Sequence, residues 1–371
     1  MKPIAIPAAA RRLLKPLTEA AARLGLPLYV VGGPVRDWLL GRTTKDIDLC
    51  TEGDPEPLAK LCAERIDGRA ERFGQFNTWR VLKGGLRVDL AMCRRETYAE
   101  PAALPEVAPA PIEQDLFRRD FTVNAMALRL SSGELVDPYG GLKDLKSKTL
   151  RVLHAESFRD DPTRVFRAAR YLCRFGLKPA PDLVKLAEGS LLEGVAGKLS
   201  RHRLAQELLR ILGETDCAAP LLKLRQWGYL ELLHPGLKAP PARLSGVDER
   251  LAALVLALGK SEGEKFLASL PIERALSTQI YEMLSLVAAR QSPRTVLGPV
   301  ARRVLPVVVP KLAPSALKPV LINGRDLQER GLTPGADYRS ILDAAALLQW
   351  KGVLKSRAQA LKWLDATLKR R

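Results

Sequence analysis

The 371-residue chain reads as an α+β N-terminal part, a small mixed sheet with helices, followed by an all-α remainder. Three observations lead there. Short β-branched and aromatic runs ending at glycines are confined to the first 150 residues or so. From Ser157 onward, apolar residues recur at three- and four-residue spacing instead. Lys and Arg outnumber Asp and Glu by 59 to 41, and part of the excess gathers in the helical C-terminal end.

In chain order, Leu28–Val31 is a strand that enters a tight turn at Gly32-Gly33. Trp79–Leu82 and Leu86–Leu90, on either side of Lys83-Gly84-Gly85, read as a hairpin. Residues 101–112 hold four prolines and four alanines, which excludes a regular helix and predicts a loop. Phe121–Leu130 and Glu134–Val136 supply further strand material around Ser131-Ser132-Gly133. Helical periodicity then runs over 162–175, 183–193, 201–213 and 217–232, with Gly176, Gly213 and Gly228 at or near the ends. A proline-rich stretch at 235–241 marks a joint, and the helical signal resumes at 248–260, 272–290 and 340–369.

The formal net charge of +18 favours a polyanionic partner, either nucleic acid or an anionic membrane surface. The membrane is the weaker choice. No apolar run reaches the ~18 residues of a spanning helix, and Met1–Pro16 lacks the apolar stretch of a signal peptide. Five scattered cysteines, none in a Cys-x-x-Cys pair, argue against a disulfide framework or a zinc site and suit a reducing cytoplasm. With three histidines far apart, a metal would be held by oxygens, which selects magnesium or manganese.

Four motifs carry chemistry. Gly32-Gly33-Pro34-Val35-Arg36-Asp37 follows a strand, so a phosphate could approach the glycine backbone while Arg36 pairs with its oxygens; an ordinary strand-to-helix turn is the alternative. Asp46 and Asp48 flank Ile47, and on a strand both would point to one face, where a divalent metal relieves their repulsion. Asp89, on a later strand, could complete that cluster or be a paired surface acid. In the block Asp115–Ala127, the adjacent Arg118 and Arg119 would project to opposite faces of an extended segment, one toward a ligand and one toward an acid.

The fourth motif is Asp160-Asp161-Pro162-Thr163-Arg164, which opens a helix with Asp161 as N-cap. Arg164, Arg167, Arg170 and Arg174 lie at roughly 0°, 300°, 240° and 280° at about 100° per residue, a stripe opposite Val165, Ala169 and Leu172. Asp160 and Asp161 cannot neutralise four arginines. Either an anion is missing from this count, or the stripe is a solvated face turned to nucleic acid. Asp161 and Arg164 also form an acceptor–donor pair that would admit cytosine and adenine, each with an amino group beside an unprotonated ring nitrogen, and reject guanine and uracil.

Taken in order, Gly-Gly-x-x-Arg-Asp with Asp-x-Asp, Arg-Arg-Asp-Phe-Thr-x-Asn-Ala, Asp137-Pro-Tyr-Gly-Gly-Leu-x-Asp-Leu and Asp-Pro-x-Arg-x-x-Arg-Ala-x-Arg resemble the class II (bacterial-type) tRNA nucleotidyltransferase and poly(A) polymerase family. The likeness covers about residues 28–215, and Ile322–Leu327 with Leu332–Gly335 resembles the tail of tRNA-specific members. Asp160 stands where many members have glutamate, and residues 96–114 hold no basic residue where many carry arginines.

The resemblance implies a nucleotidyltransferase head over 1–150, a helical neck with a nucleotide-selecting helix over 151–215, a body over 216–300 and a basic, tRNA-binding tail over 301–371. It implies Mg²⁺ on Asp46 and Asp48, the catalytic pair. Gly33, Arg36 and Arg119 would hold the triphosphate, Asp161 and Arg164 would read the base, and Arg167 and Arg170 would support the nucleotide pocket. The expected activity is template-independent addition of C, A or both, from CTP and ATP, to the 3′-terminal CCA of tRNA in the cytoplasm, with no membrane or protein partner. Poly(A) polymerase activity on general RNA and a non-catalytic RNA-binding protein on this scaffold are the competing readings.

Overall fold

The computed structural model describes residues 4–44, 46–73, 77–83 and 86–370, which divide into two compact units, one up to Leu199 and one from Ser200. The first unit begins with α1 (Ala8–Arg23), β1 (Leu28–Val31), α2 (Gly33–Leu39), β2 (Ile47–Thr51), α3 (Pro55–Arg65), β3 (Arg69–Phe73), β4 (Thr78–Lys83) and β5 (Leu86–Met92). It continues through β6 (Arg94–Thr97), β7 (Glu106–Pro109), α4 (Ile112–Phe117), β8 (Ala127–Arg129), β9 (Leu135–Val136), α5 (Gly141–Lys146) and β10 (Thr149–Leu150). It ends with α6 (Ser157–Asp160), α7 (Thr163–Phe175), β11 (Lys178–Pro179) and α8 (Leu183–Leu192).

Seven strands form one mixed sheet in the order β3-β4-β5-β2-β1-β8-β9, in which only β2 and β5 run parallel. β1 is buried along its whole length because it is central and covered on both faces. On one face Tyr29, Val31 and Cys50 pack with Ile112 and Leu116 of α4 and with Cys93, Ala125 and Ala127. α3 lies against β3, β4 and β5 and also against α1. α1 has Pro16 in its interior, but Leu14, Leu17, Ala20 and Ala21 bury the stripe that holds it down.

The strand expectations over 28–31, 79–82 and 86–90 match β1, β4 and β5, while Gly84 and Gly85, where the hairpin turn is expected, lie outside the described residues. Two expectations need correcting. Within 101–112, residues 106–109 form β7, which pairs antiparallel with β6; Pro109 is tolerated because this two-stranded ribbon is all edge. Phe121–Leu130 is not one strand: a 3₁₀ turn over Thr122–Asn124 breaks it, and only β8 remains.

The second unit is helical: α9 (Arg201–Leu212), α10 (Ala218–Gln226), α11 (Val247–Ala257), α12 (Lys260–Ala268), α13 (Arg274–Ala289), α14 (Pro299–Val308), α15 (Gly324–Gln328), α16 (Ala336–Trp350) and α17 (Arg357–Leu368). α11 is its hub, packing on α9, α12, α13 and α14. Ile322, Leu327, Ile341, Ala345, Leu354, Ala360 and Leu364 make a separate small core near the C-terminus. The continuous pattern at 340–369 is two helices, broken at Gly352, whose φ of +75° ends the first. No helix among the described residues is long and apolar enough to cross a membrane.

Candidate active site

β2 begins at Ile47, so Asp46 sits one residue ahead of the strand and Asp48 within it. Both are exposed while Ile47 between them is buried, which preserves the alternation that places two carboxylates on one side. The parallel β2–β5 register sets Asp48 directly beside Asp89. Loss of hydration pushes the Asp48 carboxyl above the usual range; Arg119 opposes this, and the charges of Asp89 and Asp46 add to it. Asp89 behaves differently. Arg80 holds it at 2.7 and 3.0 Å and Arg87 at 3.0 Å, and these bonds outweigh burial and keep its carboxyl below the usual range. Asp89 is thus both a neighbour of Asp48 and a paired acid.

Asp48 and Asp89 line a cavity of about 350 Å³, with Cys50 in its wall and Arg94, Arg118 and Arg119 bringing positive charge. Acid and base therefore share one concave site. Among the described residues no three His, Cys, Asp or Glu side chains cluster as a ligand set. Two exposed carboxylates, Asp46 and Asp48, offer only oxygen donors and still fit Mg²⁺, which takes one or two protein carboxylates and completes its shell with water and phosphate oxygens.

The turn beside the site depends on Gly32, whose φ is +74°. A Cβ there would lie 2.6 Å from Arg119 Nη1, so only glycine lets the guanidinium press against the backbone. Gly33, the glycine that the phosphate reading selects, starts α2 and has more room: its Cβ would meet Arg36 Nη2 at 3.7 Å. Arg36 is 5% exposed; Nε and Nη2 donate to Asp37, and Nη1 donates to Asn124.

Arg118 and Arg119 do not straddle an extended segment. They follow the last turn of α4, and both bond Asp115, at 2.8–3.0 Å from Arg118 and 2.9 Å from Arg119. Arg118 Nη1 also donates to Glu96 on β6. Asp115 is buried, which would raise its carboxyl, but Arg119 and Arg118 outweigh this and hold it below the usual range. Asp120 accepts from Asn124 and from Arg167, and it too is held low despite burial.

Asp161 is extended, and its Oδ1 accepts from Thr163 N at 3.0 Å and Thr163 Oγ1 at 2.6 Å, as a helix cap does. Arg164 Nη1 donates to Ser157 Oγ and Nη2 to the Arg118 carbonyl, each at 2.7 Å. Most of the arginine stripe is not a solvated face: Arg164 and Arg170 are buried and Arg167 is paired with Asp120, while Arg174 at the end of the helix is exposed. The anion missing from the local count arrives from 47 residues away. Gly32, Asp115, Asp120 and Asn124 lie within motifs singled out in the sequence but were given no role there. The signal for the last three was the density of polar residues in the 115–124 block.

Residues 28–151 match the family described as Poly A polymerase head domain. The A-adding tRNA nucleotidyltransferase of Geobacter sulfurreducens is 40% identical over 241 residues, covering 64% of this chain and 27% of that protein. The CC-adding tRNA nucleotidyltransferase of Deinococcus radiodurans is 37% identical over 227 residues, 60% of this chain and 59% of that protein. The chain therefore spans less than two thirds of these curated relatives. Along nearly its whole length it resembles a solved CCA-adding enzyme in an apo form, with a TM-score of 0.73 at 26% identity over 98% of this chain and 96% of that one. The Thermotoga maritima CCA-adding enzyme complexed with tRNA aligns with a TM-score of 0.68 at the same identity, over 98% of this chain and 96% of that one. Residues 28–151 thus carry a Poly A polymerase head domain, and the chain shares the fold of these CCA-adding enzyme structures along nearly its whole length.

Proposed function

We propose that this protein is a template-independent tRNA nucleotidyltransferase that adds C, A or both of the 3′-terminal CCA from CTP and ATP, with Mg²⁺. One observation carries the reading. Asp48, with Asp46 exposed two residues before it, lines a cavity whose other wall is arginine, the charge arrangement that a metal–triphosphate requires. A non-catalytic RNA-binding protein has no need to hold repelling acids there.

In this reading Asp46 and Asp48 hold Mg²⁺, which supplies charge neutralisation on the transferring phosphate and a lowered pKa for the attacking 3′-hydroxyl. Gly33, Arg36 and Arg119 bind the triphosphate. Arg119 is well suited, because Asp115 fixes its orientation and Gly32 brings it against the backbone. Asp161 and Arg164 read the base; Thr163, Ser157 and the Arg118 carbonyl hold both side chains in place before a nucleotide arrives. Arg167 and Arg170 support the pocket. A neck over 151–215, a body over 216–300 and a basic tail over 301–371 would present tRNA to the head, in the cytoplasm.

The test is incorporation of labelled CTP and ATP, singly and together, on tRNA ending at the discriminator base, at C and at CC. Extension of one or more of these ends, and none of an unstructured RNA, supports the proposal. Equal extension of unstructured RNA by ATP alone points to poly(A) polymerase activity instead, and no incorporation refutes both.

A further inference from the structure

Arginines crowd one side of α7, and the aromatic rings among them have no part in the reaction as drawn above. Tyr171 is 8% exposed, and three guanidinium carbons stand near its ring: Arg170 at 5.1 Å, Arg167 at 5.4 Å and Arg36 at 5.6 Å from the centroid. Its hydroxyl accepts from Arg167 Nη2 at 3.1 Å, and its ring meets Phe121 edge-on at 5.7 Å. One turn further, Phe175 is half-buried and lies 4.3 Å from Arg36, with Arg42 at 5.2 Å and Arg174 at 6.0 Å. The spacing of four residues brings the two rings together, 5.7 Å apart.

Holding like charges this close needs a counterweight, and its chemistry matters. A carboxylate steadies a guanidinium but also neutralises it and occupies its N–H donors. The face of an aromatic ring attracts the cation through its quadrupole, fixes the plane of the group, and leaves the charge and the N–H edge available to another anion. Arg36 has Asp37 and Arg167 has Asp120 as carboxylate partners. The rings supply restraint of the second kind to both.

We propose that Tyr171 and Phe175 are positioning residues for nucleotide binding. They form an aromatic platform on α7 that, together with the carboxylates of Asp37 and Asp120, keeps Arg36, Arg167 and Arg170 oriented for the nucleotide pocket. The inference rests on the nucleotide-binding reading of those arginines. Arg42, exposed on the segment leading to Asp46, shares the Phe175 ring and joins the same cation set.

The experiment measures ATP and CTP affinity by calorimetry on the full chain, alongside KM, kcat, tRNA affinity and melting temperature. Phe175→Leu and Tyr171→Leu remove the quadrupole and keep apolar bulk; Phe175→Tyr and Tyr171→Phe keep the ring. Each leucine variant should bind nucleotide about tenfold more weakly and show a KM about tenfold higher, with kcat within about twofold and tRNA affinity unchanged, while the ring-retaining variants stay within about threefold of wild type. Leucine variants that bind nucleotide as tightly as wild type overturn the platform, as does a loss in kcat with KM unchanged. Should Tyr171→Leu fail to fold, Phe175→Leu decides alone, since that ring is half-buried at the helix end. A wild type that binds no nucleotide overturns the parent reading, and the platform with it.

Discussion

Asp48 reaches solvent, yet its carboxyl is raised, first by lost hydration and then, against the pull of Arg119, by Asp89 and Asp46. A carboxyl whose folded pKa exceeds its unfolded value stabilises the fold most when protonated, and that contribution disappears as pH rises through the folded pKa. At neutral pH without metal, ionised Asp48 therefore opposes folding. Asp48→Asn should melt at or above the wild-type temperature in chelator at pH 7, with the gap closing in acid. It should also lose incorporation by a factor on the order of 10² or more, the scale of one preorganised electrostatic group. Undiminished incorporation in Mg²⁺, or a clear loss of stability at neutral pH, would contradict this account. Asp161 offers a second separation. Serine can still cap α7 but carries no charge, so Asp161→Ser should keep the melting temperature and relax the preference for C and A over U and G. Wild-type selectivity in that variant would leave Asp161 as a cap alone.

Between elements, α4, α7 and α2 are joined by ion pairs and hydrogen bonds rather than by apolar packing alone. Asp115 ties Arg118 and Arg119 to α4, and Asp120 ties Arg167 of α7 to the 3₁₀ turn that carries Asn124 and, through it, Arg36. Asp115→Asn removes one partner of a buried pair and should cost about 3 kcal/mol. Both carboxyls are held below the usual range, so their stabilisation is complete above the unfolded value near pH 4 and is lost as pH falls through the lowered folded pKa. Denaturant midpoints of wild type and Asp115→Asn should thus differ most near neutrality and converge in strong acid; a constant gap would refute the pairing. These links also mark where the sequence stops being legible. β1, β4 and β5 could be read because alternation and glycine punctuation are local. The arginine stripe could be read too, since one helix carries it. Its neutralisation could not, because Asp120 is 47 residues from Arg167 and reaches it only through the fold. β7 was hidden for a related reason: proline suppresses strand propensity, and only pairing with β6 reveals the strand.

For the whole molecule, net charge is the property the sequence states outright, and its distribution sets the last prediction. Arg302, Lys311, Lys318 and Lys355 are exposed in the second unit, in the region proposed to grip tRNA. Truncation before Ala301 is a poor test, because α14 starts at Pro299 and packs on α11 and α13, so removing it would strip a helix from the body as well as charge from the surface. Charge reversal avoids that confusion. Changing these four residues to glutamate leaves the buried packing of the helices in place and removes as many candidate phosphate partners. Each cation paired with a tRNA phosphate releases condensed counterions, so the slope of log affinity against log salt should flatten by about 0.7–0.9 for each such pair abolished. The head is untouched, so ATP affinity should stay at the wild-type value. Unchanged tRNA affinity at every salt concentration would show that this basic surface is not the clamp. A parallel fall in ATP affinity would show that the substitutions had damaged the fold rather than the interface.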